Sequence, residues 1–276
     1  SRGLGDVYKR QMSIDLWAAV SKSTIQMLTP HVDAANPSHE GNWMQTARYL
    51  EGHLSVWRGA DVLTFIDGLS TNRVLDLRKG ECQQTTFTTT TAKVIDRVAL
   101  FHMGDFVACV SHAPFWDALH AHVSPRILGQ DVSIFDASAN NEFYVRFGDD
   151  DSTRGVHSTN DGVTIGHLEG GYDLIVATVG KHVESEVNLD SFHAWRIERC
   201  VPWPGYEITA KHHALACGLS EDVHPSKGCY IGQEVLTRMI SRNKQGRTLS
   251  IVANEEVQPS EITTKGASRS LAIIRV

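Results

Sequence analysis

The sequence predicts an α+β fold in which antiparallel sheets dominate and a few amphipathic helices cover them. Three observations carry that prediction. Short runs of apolar and β-branched residues, bounded by turn residues, recur along the chain in the manner of strands. Two of them, Val98 to Phe101 and Phe106 to Val110, flank Gly104-Asp105 and read as a hairpin. Helical spacing appears only in isolated stretches, and its irregular alternation with strands disfavours a doubly wound parallel sheet.

Taken in order, His53 to Trp57 alternates as a strand, and Asp61 is a plausible N-cap for a helix carrying Val62, Phe65, Ile66 and Leu69 on one face. Gln84 to Val94 is dense in threonine and reads as strand, followed by the hairpin. Pro114 to Val123 puts Phe115, Trp116, Leu119 and Val123 on one helical face. Strand-like pieces return at Val132 to Phe135, Phe143 to Phe147, Val163 to Ile165 and Tyr172 to Ala177. Asp190 or Ser191 caps a further helix with Leu189, Phe192, Trp195 and Ile197 to Cys200 as its apolar side. Pro202, Pro204, Gly205 and Gly218 then break the pattern until Val235 to Ile240, a short helix. Leu249 to Ala253 and Leu271 to Val276 read as strands joined by a polar loop. Trp43, Trp57, Trp116 and Trp203 sit at apolar positions and are expected to fill cores.

The chain has 276 residues, of which 41% are hydrophobic, enough to bury a real core in one large or two modest domains. Its net charge of -6 comes from interspersed acids and bases, so no electrostatic footprint for nucleic acid is present. No stretch approaches the roughly 20 apolar residues that span a bilayer. The five cysteines are widely spaced with no C-x-x-C pair, which argues against a disulfide framework and a zinc knuckle and suits a reducing cytoplasm. His120, His122, His212, His213 and His224 lack metal-ligand spacing, so no metal is expected. Residues Ser1 to Gln11 precede the first methionine and read as a non-native leader or disordered tail, with the main unit over 12–246 and a separate segment over 247–276.

The segment Lys227-Gly228-Cys229-Tyr230-Ile231-Gly232-Gln233-Glu234 is the most informative. Its two glycines permit a tight turn or a close approach to a ligand, and a nearby Lys227 ammonium would favour the thiolate of Cys229, a candidate reactive cysteine. The alternative is a buried structural cysteine in a glycine turn.

This K-G-C-Y-x-G-Q-E segment resembles the signature of the YgfZ-type folate-binding proteins, a branch of the glycine-cleavage T-protein (aminomethyltransferase) superfamily. Arg196-Ile197-Glu198 with Pro202, Gly205 and Glu207 is similar to the family's R-x-E…P-x-x-G-x-E run, and Phe65-Ile66 with Thr71-Asn72 to its F-L…T-N element. Together these cover roughly Gly52 to Val252.

The resemblance implies a T-protein-like folate-binding domain of antiparallel sheets with helices, followed by a small β-barrel. The roughly thirty residues from Arg247 are too few for a barrel of five or six strands, so a shortened C-terminal β segment or a truncation is expected. It implies tetrahydrofolate or a one-carbon derivative as cofactor, and a role supporting iron-sulfur cluster assembly or repair, with iron-sulfur enzymes or assembly factors as partners. Glu169, in the run Glu169-Gly170-Gly171-Tyr172-Asp173, would hold the pterin with Tyr172 beside it, since a carboxylate accepts adjacent N–H groups in a bidentate arrangement. Asp96, in Val94-Ile95-Asp96, would lie beside the reactive folate nitrogen. Arg196 would pair with Glu198, Glu207 or a folate carboxylate, and Asn72 would join the binding set. Whether the protein turns over is open: the alternatives are a folate-dependent aminomethyltransferase and a folate-binding scaffold without chemistry.

Overall fold

The computed structural model describes residues 44–276; the expected leader over residues 1–11, the first part of the 12–246 unit and Trp43 lie outside the described residues. In chain order the strands are β1 (Gln45–Arg48), β2 (Gly52–Arg58), β3 (Cys82–Thr88), β4 (Val94–His102), β5 (Val107–His112), β6 (Ser133–Asp136), β7 (Asn141–Phe147), β8 (Val156–Asn160), β9 (Val163–His167), β10 (Tyr172–Thr178), β11 (Arg247–Ala253), β12 (Ile262–Thr264) and β13 (Arg269–Arg275). The helices are α1 (Val62–Leu69), α2 (Trp116–Val123), α3 (Leu189–Glu198) and α4 (Gln233–Ser241).

The strands form three antiparallel sheets, ordered β1-β7-β10-β9-β8, β3-β4-β5-β2-β6 and β11-β13-β12. The α+β expectation and the hairpin are both realised: β4 and β5 pair in register from Ala99↔Val110 to His102↔Val107.

Strand alternation decides how the central sheet is buried. Ala99, Phe101, Ala108 and Val110 pack against Val145, Phe147, Leu174 and Val176 of the first sheet. Their neighbours Val98, Leu100, Val107 and Cys109 face the other way, under Val62, Phe65 and Ile66 of α1 and Leu119 and Val123 of α2. Covered on both faces, β5 is buried at every position.

Three local expectations need correction. The threonine-dense run is not one strand: β3 ends at Thr88, and a turn with Ala92 at φ 61° precedes β4. Helix α3 is capped by Asn188, whose side chain accepts the Ser191 N–H at 3.2 Å; Asp190 and Ser191 lie in its first turn. Asp61 does precede α1, yet its carboxylate accepts the Asp131 N–H instead of capping. The short strands β1 and β8 carried no readable pattern, and β12 lies inside what reads as a polar loop.

The C-terminal segment is an open three-stranded sheet fastened to the rest of the chain by Leu249, Leu271 and Ile273 against Ile197 and Ala216. Among the described residues no helix is long and apolar enough to cross a membrane.

Candidate functional site

The Lys227–Glu234 loop is fixed at both ends. Lys227 is buried, and its Nζ donates to the carbonyls of Asp67 at 2.6 Å, Ser70 at 2.8 Å and Asn72 at 2.7 Å, with the Asp67 carboxylate at 3.4 Å. The ammonium has three donors, and all three are committed to the end of α1 and the turn that follows it. Burial lowers its proton affinity while Asp67 opposes that shift. Lys227 was expected to favour the Cys229 thiolate; its position makes it instead a clamp between two segments distant in sequence. At the other end Gly232 caps α4 with φ +88°, and a Cβ there would lie 2.6 Å from Thr88 Oγ1 and 2.7 Å from the Thr89 carbonyl. Only glycine suits both the backbone angle and the space. Tyr230 anchors the middle of the loop in a core with Leu215, Leu219 and Leu236. Gly228 is exposed with open space around it, and its carbonyl accepts from Gln233 at 3.4 Å; Glu234 is exposed in the first turn of α4.

Cys229 stands exposed on this fixed loop. Cys82, Cys109 and Cys217 are buried, and Cys200 is half-buried. Desolvation pushes the Cys82 and Cys217 thiols up to about 12, and raises Cys109 with help from the Asp96 carboxylate. Cys229 is therefore the one fully accessible nucleophilic sulfur of the five.

The remaining expected site residues do not converge on one cavity. Between the first and central sheets lies a chamber of about 30 Å³ walled by Tyr49, Gln84, Arg97, His112, Tyr172 and Trp203. Tyr172 is buried there, its hydroxyl accepting from Gln84 Nε2 at 2.9 Å and its ring edge-on to Trp203 at 5.6 Å. Asp96 is next to the chamber-lining Arg97 on β4, and alternation turns it to the helix-covered face, toward Cys109. It is fully buried. Its Oδ2 accepts the His112 N–H at 3.1 Å, its Oδ1 has no partner, and desolvation raises its carboxyl well above the usual carboxylate range. Glu169 lies on the exposed turn between β9 and β10 and is not a chamber wall.

Arg196 is fully buried and resolves its three possible pairings in favour of Glu207, at 2.6 Å. Its Nε donates to His193 Nδ1 at 2.7 Å, another donor reaches the Thr264 hydroxyl, and its plane lies 4.9 Å over the Tyr206 ring. Glu207 also accepts from the Trp203 N–H and from the Thr263 and Thr264 hydroxyls. This network ties α3 to β12 and leaves Arg196 no donor geometry directed at the chamber. Asn72 is a turn residue: it donates to the Gln84 carbonyl and accepts the Arg73 N–H.

Sequence reasoning missed several chamber groups. Tyr49 hydrogen bonds His112 Nδ1 at 2.7 Å, and its hydroxyl is raised by burial and then by Asp96. Arg97 forms a bidentate pair with Asp222 at 2.7 and 3.0 Å, fastening the stretch before the Cys229 loop to β4. These partners are far apart in sequence and carry no local pattern. The cluster Asp150, His167 and Asp173 has ligand-like spacing. Arg146 and Arg154 both donate to Asp173, at 2.8 and 3.1 Å, and two guanidiniums at that distance would repel a cation. The cluster is a salt-bridge network.

No family model matches the chain, and no curated protein matches it in sequence. Among solved structures it is similar to the glycine cleavage system aminomethyltransferase T from Bartonella henselae, with a TM-score of 0.70 at 12% identity over 84% of this chain and 78% of that one. It also overlaps the heterotetrameric sarcosine oxidase from Corynebacterium sp. U-96 in complex with pyrrole 2-carboxylate, with a TM-score of 0.32 at 11% identity, 49% of this chain and 75% of that one; an overlap so slight carries no argument. The first likeness shows that this chain has the fold of that aminomethyltransferase, and at 12% identity it shows the fold alone.

Proposed function

We propose that the protein is a tetrahydrofolate-binding accessory protein of the YgfZ type that supports iron-sulfur cluster assembly or repair, with Cys229 as its reactive group. The observation that carries this reading is the Cys229 loop: on an aminomethyltransferase-like fold, the segment resembling the YgfZ signature is built as a rigid turn, clamped by Lys227 and Gly232, that presents one exposed thiol. The iron-sulfur part rests on that resemblance of sequence.

The chamber's aromatic walls suit a flat heteroaromatic ring, but about 30 Å³ is room for roughly one water, where ligand pockets run to hundreds of cubic ångströms. A pterin does not fit the chamber as it stands. Binding there needs Tyr49 or Trp203 to move aside, so the proposed function includes an opening of this wall. Asp96, whose carboxyl burial raises above the usual carboxylate range, lies on the opposite, helix-covered face of β4 and is not part of this wall.

Calorimetric titration with tetrahydrofolate tests this, beside Glu169→Ala, Cys229→Ala and Trp203→Phe variants, together with the alkylation rate of Cys229. Saturable binding kept in Cys229→Ala, weakened in Trp203→Phe and protective of the thiol supports the reading. No binding by the intact protein removes folate from it.

A further inference from the structure

A much larger opening than the aromatic chamber lies elsewhere among the described residues, and no expected site residue lines it. A cleft of about 700 Å³ separates the stretch from Gly205 to His212 from the three-stranded C-terminal sheet, reached by Arg247 on β11, Glu261 and Ile262 on the approach to and start of β12, and Ile273 on β13. That volume lies within the range of small-molecule sites, about 300–1,000 Å³.

Its charge is one-sided. Lys211 and Arg247 both line it, against the single carboxylate of Glu261. Lys93 stands directly behind, its Nζ donating to the Lys211 carbonyl at 2.6 Å. Arg247 is held in place by one bond from Nη1 to the Ile273 carbonyl at 3.0 Å, which leaves its other donors uncommitted to protein groups among the described residues. His212, also on the wall, senses this surplus: burial lowers its proton affinity, and Lys93, Arg247, His213 and Lys211 each lower it further.

The walls are also preorganised. Tyr206 is pinned between the Arg196 guanidinium at 4.9 Å and the His193 ring at 4.6 Å. Thr263 on the opposite wall donates to Glu207 at 2.7 Å. The Arg196–Glu207 network therefore fixes the two sides of the cleft relative to each other, which reduces the ordering cost of binding. Tyr206, Ile262 and Ile273 supply an apolar surface beside the cationic one.

We propose that this cleft binds a small molecule carrying a carboxylate or phosphate group next to an apolar body, with the anion held by Lys211 and Arg247. The cleft shares no lining residue with the aromatic chamber, so this site and the folate reading stand or fall separately.

Calorimetry with citrate and with pyrophosphate as probes, on the full chain at low and moderate salt, tests the proposal. At least one probe should bind saturably to the intact protein. Lys211→Gln, a change at an exposed side chain, and Arg247→Gln should each weaken binding by about tenfold or more, as expected for losing one charge-assisted hydrogen bond. The circular dichroism of both variants should match the parent. Binding of pyrophosphate alone assigns a phosphate site, and binding of citrate alone a carboxylate site. Failure of both probes to saturate, or unchanged binding in a folded Lys211→Gln variant, overturns the assignment.

Discussion

Replacing Lys227 by methionine separates a clamp from an activator. The change keeps most of the apolar stem and deletes the ammonium, leaving the carbonyls of Asp67, Ser70 and Asn72 each short of a donor in a buried site. Three charge-assisted hydrogen bonds at about 1.5–3 kcal/mol each give a gross loss of roughly 4.5–9 kcal/mol. The ammonium's own desolvation offsets part of it, and breaking a buried charged contact typically costs about 3–5 kcal/mol. Asp67 softens the loss slightly, because its carboxylate still accepts the Val74 and Leu75 N–H groups. We expect about 3–5 kcal/mol, equivalent to a melting temperature lower by roughly 6–20 °C for a chain of this size. Urea denaturation of Lys227→Met beside Cys229→Ser measures it, and Cys229→Ser should stay within about 0.5 kcal/mol because that side chain is exposed. A Lys227→Met variant within about 1 kcal/mol of the parent, with Cys229 alkylation slowed severalfold, would refute the clamp and restore Lys227 as the activator of the thiol.

Other outcomes follow from the same geometry. Arg196→Met leaves Glu207 buried without its counter-charge and should cost about 3–5 kcal/mol by urea denaturation, while Arg196→Met with Glu207→Gln should cost less than the sum of the two single changes. Gly232→Ala must place a methyl group 2.6 Å from Thr88 Oγ1 in a left-handed backbone, and should lower stability by about 1–3 kcal/mol, read as a fall in melting temperature. His193, whose ring accepts from Arg196, is held down to about 4 by burial and by that guanidinium. The unfolded chain then binds more protons than the native one between about pH 6.5 and 4, so stability falls as pH drops through that window; His193→Gln should flatten the urea midpoint against pH there. Asp96 runs the opposite way, since its raised carboxyl costs stability as pH rises above about 4. Asp96→Asn should therefore stabilise the protein at pH 7, with the gain fading toward pH 4, read from the urea midpoint against pH.

The sequence by itself determined the strand-rich architecture and most of its long elements, because burial of one or both faces is written into local alternation. The hairpin of β4 and β5 and the helical spacing of Val62, Phe65 and Ile66 are legible for that reason. The glycines beside Cys229 were legible as a tight turn, and Gly232 supplies its left-handed residue at φ +88°. Tertiary structure alone decided which polar side chains meet. Lys227 reaches back about 160 positions to Asp67, and Arg97 reaches Asp222 across a sequence separation of 125. Neither pairing leaves a periodic trace, because a charged side chain's partner is set by how the sheets stack and not by its neighbours in the chain. The same stacking put Asp96 on the far face of its strand, Glu169 on an exposed turn and Arg196 in a buried pair, and opened a cationic cleft at Lys211 and Arg247 where no motif marks one.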